Sequence, residues 1–298
     1  MRRIKRRSGS DEGWKMILER YLPHFLEFFF PEILRDIYSD RIISVAADFH
    51  KITKDSAVGS RFTDKVVRVA LREGGEKLLL IHIEVQGEPE REFERRLFIY
   101  NYRIFDRFNE DVVTLVALTG ESPASTPFRY ELTKWGFRHL FEFPSVRLMD
   151  YKCRIEELEK STNPFAVVTL THLRYVETHG DDKLQLFWKK SLIKSLYRRG
   201  YSSEDVINLY CFIDWVISLP DDLERQCLED IRIFEEGLKV AYISSAERLG
   251  IKKGMEKGME KGMEKGILQI AKKMKEMGED PSKIALITEL PEEEISRL

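Results

Sequence analysis

Cysteine is scarce in this chain and poorly spaced for chemistry: Cys153, Cys211 and Cys227 are the only three, with no CxxC pair among them. That excludes a disulfide framework and the common zinc sites, and it favours a reducing cytoplasm in which the thiols simply pack. Long apolar runs are missing too. No stretch approaches the roughly 20 residues of a membrane span, and the basic opening MRRIKRR is not followed by the apolar segment of a secretory signal. Charge of one sign is not in excess either. Lys and Arg number 49 against 51 Asp and Glu, a formal net charge of −2, so any nucleic-acid partner must be held by a local patch or a metal. There is no GxxxxGK phosphate loop, no GxGxxG, and no Ser, His and Asp set around a nucleophile elbow. The expectation is a soluble, cytoplasmic globular protein.

At 298 residues the chain has room for one large domain or two modest ones. Its pattern divides it into four segments: a basic, mobile arm over 1–10, a mixed α/β core over 11–150, a helical domain over 151–249, and a tail over 250–298. The core opens with the helical stretch WKMILERYLPHFLEFFFPEILRDIYSD. Strand-like VVRVAL, LLLIHIEV and VVTLVALTG follow, with the amphipathic stretch REFERRLFIYNYRIFDRF before the last of them. The next segment reads as four helices, one of which carries Ser202 and Asp205 as a capping box. In the tail, KKGMEKGMEKGMEKG sets Gly254, Gly258, Gly262 and Gly266 near one helical face. Each such glycine costs about 1 kcal/mol relative to alanine. The stretch therefore reads as a frayed helical linker, with an oligomerising helix as the alternative. Two short helices should end the chain, the first capped by Asp280 and the second starting near Pro291.

Within IHIEVQ, Ile81, Ile83 and Val85 alternate with His82, Glu84 and Gln86, the period of a strand. Leu78, Leu79 and Leu80 lead straight in, which sets the strand deep in a sheet, where a row of polar residues calls for a reason. The preceding strand, DKVVRVALR, has its apolar residues at odd positions as well. Residues that face each other across an antiparallel ladder share a sheet face, so the hairpin must pair odd with odd and even with even. A two-residue turn at Gly74 and Gly75 would break that parity. An odd-length loop or a bulge around REGGEK satisfies it and places Asp64 opposite Glu84 or Gln86.

Two carboxylates brought this close remain ionised together only with a cation between them. Hard oxygen donors suit Mg²⁺ or Mn²⁺, and such an ion can activate a water for attack on a phosphodiester. Gln86 can orient that water or a phosphate oxygen but cannot act as a general base. His82 shares the face and titrates near neutrality when unperturbed. The plainer alternatives are a buried, hydrogen-bonded histidine, and carboxylates on a solvated face paired with Arg68 or Arg96. Arg96 and Tyr100, four apart on the following helix, share a face. Turned toward the site, they would reach a phosphate; turned elsewhere, they are an ion-pairing arginine and a half-buried ring.

The stretch RFTDKVVRVALREGGEKLLLIHIEVQGEPEREFERRLFIYNYRIFDRF resembles the core of the recombination-promoting nuclease (Rpn) family, whose members are often labelled transposases, within the PD-(D/E)XK nuclease superfamily. FFPEILRDI, NPFAVVTLTHL and the glycine-spaced tail extend the resemblance over most of the chain. It implies a restriction-endonuclease-like α/β core, a central mixed sheet flanked by helices, followed by an all-helical region. It also implies metal-dependent hydrolysis of DNA, with Asp64 and Glu84 holding Mg²⁺ or Mn²⁺ and Gln86 standing where the superfamily has lysine. The superfamily's further acidic residue maps to Glu32, with Asp48 also near the hairpin in sequence. His82, Arg96 and Tyr100 are the supporting candidates. DNA is the expected partner, and self-association through the C-terminal helical region is a second expectation. A catalytically weak nucleic-acid- or protein-binding module that keeps the nuclease fold is one alternative, and a transposase is another.

Overall fold

The structure is a computed structural model that describes residues 2–45, 63–72, 77–87, 92–121, 128–238, 267–268, 270–272, 274–275 and 280–288, with 2–12, 63–64, 281, 283 and 286 described by their backbone. Asp48, the GMEK repeats with Gly254, Gly258, Gly262 and Gly266, and Pro291 lie outside these residues. Two compact units divide the chain, Met1–Tyr242 and Ile243–Leu298.

The first unit opens with helix α1 (Arg2–Phe29), which takes in the basic stretch read as an arm. Trp14, Ile17, Leu18, Tyr21, Leu22, Phe25, Leu26 and Phe29 repeat at three- and four-residue spacing and are buried, as the inward stripe of an amphipathic helix should be. Non-helical angles at Tyr21 mark a kink just ahead of Pro23, whose ring and missing N–H disrupt the preceding turn. The short helix α2 (Pro31–Asp36) follows.

Five strands then form a mixed sheet, in the order β1 (Ile43–Ser44), β2 (Thr63–Ala70), β3 (Leu78–Gln86), β4 (Val112–Leu118) and β7 (Ser145–Arg147). The pairs β1/β2 and β2/β3 are antiparallel, whereas β3/β4 and β4/β7 are parallel. Helix α3 (Phe93–Phe108) makes the crossover that a parallel β3/β4 pair requires. The three strongest strand patterns and this amphipathic helix stand where the sequence suggests.

Sequence reasoning missed a second, two-stranded sheet of β5 (Arg129–Lys134) and β6 (Phe137–Glu142). Its signal was present in the alternation of Tyr130 and Leu132, and of Phe137, His139 and Phe141, around a glycine turn.

Helices α4 (Ile155–Lys160), α5 (Pro164–Glu177), α6 (Asp182–Arg198), α7 (Ser203–Val216) and α8 (Asp221–Leu238) complete the unit. Asn163 caps α5 by accepting from Phe165 N at 2.9 Å, with Pro164 at the first helical position. Ser202 Oγ caps α7, accepting from Asp205 N at 3.1 Å. Asp205 departs from a standard capping box: its carboxylate accepts from the Ser202 hydroxyl at 2.6 Å and from the Tyr21 hydroxyl at 2.6 Å, so the cap also ties α7 to α1. Phe165 on α5 and Phe212 on α7 meet the α1 rings of Trp14, Phe25 and Phe29, so the helical region and the entry helix share one aromatic core.

In the second unit, helix α9 (Pro281–Thr288) is capped by Asp280, whose carboxylate accepts from Ser282 N at 2.9 Å. Ala271 and Ile284 are buried together there, against Met274 and Ala285. Among the described residues, no helix is long and apolar enough to cross a membrane.

Candidate active site

The β2/β3 hairpin has the parity that its two odd-numbered apolar rows require. Asp64 pairs with Glu84, Val66 with His82 and Arg68 with Leu80, so Asp64 and Glu84 occupy the same face. Leu71 N donates to Lys77 O at 3.0 Å, which closes the connection with an odd number of intervening residues. Direct cross-strand partners have their Cβ atoms about 5 Å apart, close enough for two carboxylates to share one ion.

Strand β3 is buried on both faces from Leu80 to Gln86. Its even-numbered face lies under α3, as Val66 and Leu80 pack against Ile104. The polar row His82, Glu84 and Gln86 is therefore enclosed between sheet and helix, and burial of such groups has to be balanced by specific partners.

Arg96 supplies part of that balance. Its Nη2 donates to Gln86 Oε1 at 2.9 Å and lies 3.3 Å from Glu84 Oε1. The carboxamide oxygen is thus engaged by the arginine. The arginine read as a phosphate candidate is, in this arrangement, also the ion-pair partner of the motif glutamate. Arg68 is not: its guanidinium forks onto Glu110 at 2.9 and 2.7 Å, and those bonds raise its pKa.

On the other side of Glu84, His82 Nε2 stands 3.8 Å from Glu84 Oε2. Its Nδ1 is 3.5 Å from Thr114 Oγ1, and Asn101 Nδ2 donates to that same hydroxyl at 3.1 Å. With its oxygen accepting from Asn101, Thr114 can donate its proton to Nδ1. A neutral His82 then carries its hydrogen on Nε2, facing the carboxylate. The histidine is the buried, hydrogen-bonded kind, and its partners aim it at Glu84. Tyr100 is buried edge-on to the His82 ring at 6.3 Å, so it closes the apolar side of the site.

Asn101, Thr114, Thr119 and His172 had no motif to announce them. Thr119 N donates to Gln86 O at 2.8 Å, and His172 on α5 hydrogen-bonds the Thr119 carbonyl, so the helical region props the strand end that carries Gln86. Desolvation of His172 pushes its pKa down to about 4, against a smaller upward pull from that carbonyl. Only the spatial neighbourhood of β4 gives these residues a role.

Glu32 is exposed in the first turn of α2. That helix is anchored at its other end to the far end of β2 from Asp64, where Arg72 N donates to Asp36 O at 2.8 Å and Tyr38 N to Ala70 O at 3.0 Å. No hydrogen bond or ion pair joins Glu32 to Glu84, Gln86 or Arg96 among the described residues. Nor do those residues gather three or more His, Cys, Asp or Glu side chains into a metal-ligand set.

In comparisons with known proteins, no family model, no curated protein and no solved structure matches the chain.

Proposed function

We propose that this protein is a metal-dependent DNA endonuclease built on a PD-(D/E)XK-type core, with the Rpn-like motif residues as its reaction centre. The observation that carries the reading is the register of the β2/β3 hairpin. It sets Asp64 directly opposite a fully buried Glu84, with Gln86 two residues on and Arg96 bonded to both motif side chains. The donor chemistry fits a hard divalent ion: two carboxylates against one guanidinium leave a net negative charge for a cation to balance. Asp64 and Glu84 would hold Mg²⁺ or Mn²⁺, which when bound supplies an acidified water and offsets charge on the phosphate.

The chain's own groups do the rest. Arg96 pairs with the Glu84 carboxylate at 3.3 Å and fixes the rotamer of Gln86 through the 2.9 Å bond. Gln86 stands two residues beyond Glu84 on the same strand face, where a side-chain amide would orient a phosphate oxygen or the attacking water. His82 lies beside the far oxygen of Glu84 at 3.8 Å, with Thr114 and Asn101 behind its ring.

The second reading, a catalytically weak binding module, draws on the same arginine. Where the superfamily sets a lysine beside the scissile phosphate, this site has a carboxamide, and its nearest cation is bonded inward. Incubation of supercoiled plasmid with the full chain in Mg²⁺, Mn²⁺ or EDTA separates the two. Nicked or linear product with either metal and none with EDTA is expected. Intact plasmid under all three conditions would favour the binding module.

A further inference from the structure

Among the described residues the β5/β6 hairpin pairs with no other strand, and its two-residue turn is Trp135 and Gly136, at φ +51° and +83°. A turn with both central residues left-handed matches the strand twist and normally takes Asn or Asp followed by Gly; a bulky aromatic residue pays strain there. Trp135 is also 95% exposed, so neither its backbone nor its burial explains a tryptophan. Phe137, the cross-strand partner of Lys134, is 58% exposed on the same hairpin end.

The foot of the hairpin is firmly held. Tyr130, His139 and Phe141 pack on Phe98 of α3 with ring centroids at 5.3, 4.4 and 5.8 Å. Phe128 and Phe143, which flank the hairpin, lie 6.2 and 6.5 Å from the Phe93 ring, over which the Arg96 guanidinium sits at 5.4 Å. One ring therefore separates the hairpin foot from the arginine bonded to Glu84 and Gln86. Six residues per strand at about 3.3 Å give a reach of about 20 Å from foot to tip.

From Thr133 to Arg138 the charged residues are Lys134 and Arg138, with no acid among them; Arg138 is paired at 3.2 Å with Glu131, a carboxylate that also lies 3.7 Å from Arg129. Lys134 Nζ lies 5.1 Å from the Trp135 ring centroid.

We infer that this hairpin is a second contact for DNA, in which Trp135 stacks on an unpaired base while Lys134 and Arg138 meet the flanking phosphates. A π-face beside cations, standing clear of the fold, is the arrangement that grips single-stranded nucleic acid with little regard to sequence. The inference rests on the nuclease reading and deepens it. The preferred substrate would carry an unpaired segment near the bond cut.

The test uses the full chain, fluorescently labelled 20-mers as single strand and as duplex, and anisotropy in EDTA so that nothing is cut. Trp135→Ala should weaken single-strand binding about five- to hundredfold and duplex binding much less, with Trp135→Phe in between. Trp135→Asn, which suits the left-handed turn and so keeps the hairpin formed, should behave like the alanine variant. Equal binding of the single strand by wild type, Trp135→Ala and Trp135→Asn overturns the inference. So does a wild-type dimer that Trp135→Ala dissociates while DNA affinity is unchanged, because the tip then serves a second copy. Plasmid cleavage in Mn²⁺ is read separately. Cleavage with no Trp135 effect on binding removes the hairpin role alone, and a Trp135 effect without cleavage removes the nuclease reading alone.

Discussion

Gln86 is where one side chain decides most. A lysine there would restore the superfamily residue, but Arg96 Nη2 stands 2.9 Å from Gln86 Oε1. Gln86→Lys would lose a hydrogen bond to a charged donor and set a second cation against the first. It should destabilise the fold by roughly 2 kcal/mol in urea unfolding. Pairing it with Arg96→Gln returns one cation to the cluster, so the double variant should recover most of the loss and cleave faster than Gln86→Lys alone. A double-mutant cycle showing simple additivity would mean that the two residues do not share the site. His172 makes the second prediction at this scale. Its pKa is held at about 4, below the ordinary 6.5, so between these values the unfolded chain takes up a proton that the folded chain refuses. Stability tied to this residue is complete above pH 6.5 and is lost as pH falls toward 4, by at most about 3 kcal/mol, since the ring keeps some contact with solvent. His172→Gln should flatten that acid limb in melts between pH 4 and 7. An unchanged slope would leave the limb to other groups.

Among elements, the helical region is tied together by Lys189. Its fully buried ammonium on α6 donates to Asp214 on α7 at 2.6 Å and to both oxygens of Glu224 on α8 at 2.8 and 3.0 Å. Burial alone would lower its pKa, but the two carboxylates outweigh that and raise it. Lys189→Met leaves two acids facing each other in the interior and should cost roughly 3–5 kcal/mol. Burial already raises the Glu224 pKa with Lys189 in place, and losing the ammonium would raise it further, so the loss should grow from pH 5 to pH 8 in thermal melts; an equal loss at both would contradict the account. Four of these helices were legible in the sequence, α7 down to its cap because Ser202 is a local signal, whereas the short α4 and the Asn163 cap of α5 were not read. The β2/β3 register was legible too, because parity follows from two apolar rows. The β5/β6 hairpin was harder to read: its strands alternate, but Trp135 stands where Asn or Asp would mark the turn, and Trp135 and Phe137 are exposed, so neither turn chemistry nor burial reinforced the pattern. Lys189 was equally hidden, since its partners lie 25 and 35 residues away in sequence.

At the scale of the whole molecule, residues distant in sequence converge on one strand end: β2 brings Asp64, β3 brings Glu84 and Gln86, α3 brings Arg96, and α5 props Thr119 through His172. The motif residues were readable because they alternate along strands. Their buttresses were not, because Asn101, Thr114 and His172 belong to the site only through packing. The claim that binds these parts together is that Asp64 and Glu84 jointly hold the ion that cuts DNA. The direct measurement compares wild type, Asp64→Asn and Glu84→Gln, which keep shape and remove one charge each, for Mn²⁺ binding by calorimetry and for plasmid cleavage in the same buffer. Each variant should lose most of its Mn²⁺ affinity and at least about a hundredfold in cleavage rate, with DNA binding in EDTA unchanged or tighter because repulsion of the phosphates is reduced. Wild-type Mn²⁺ affinity and cleavage in both variants would contradict the account.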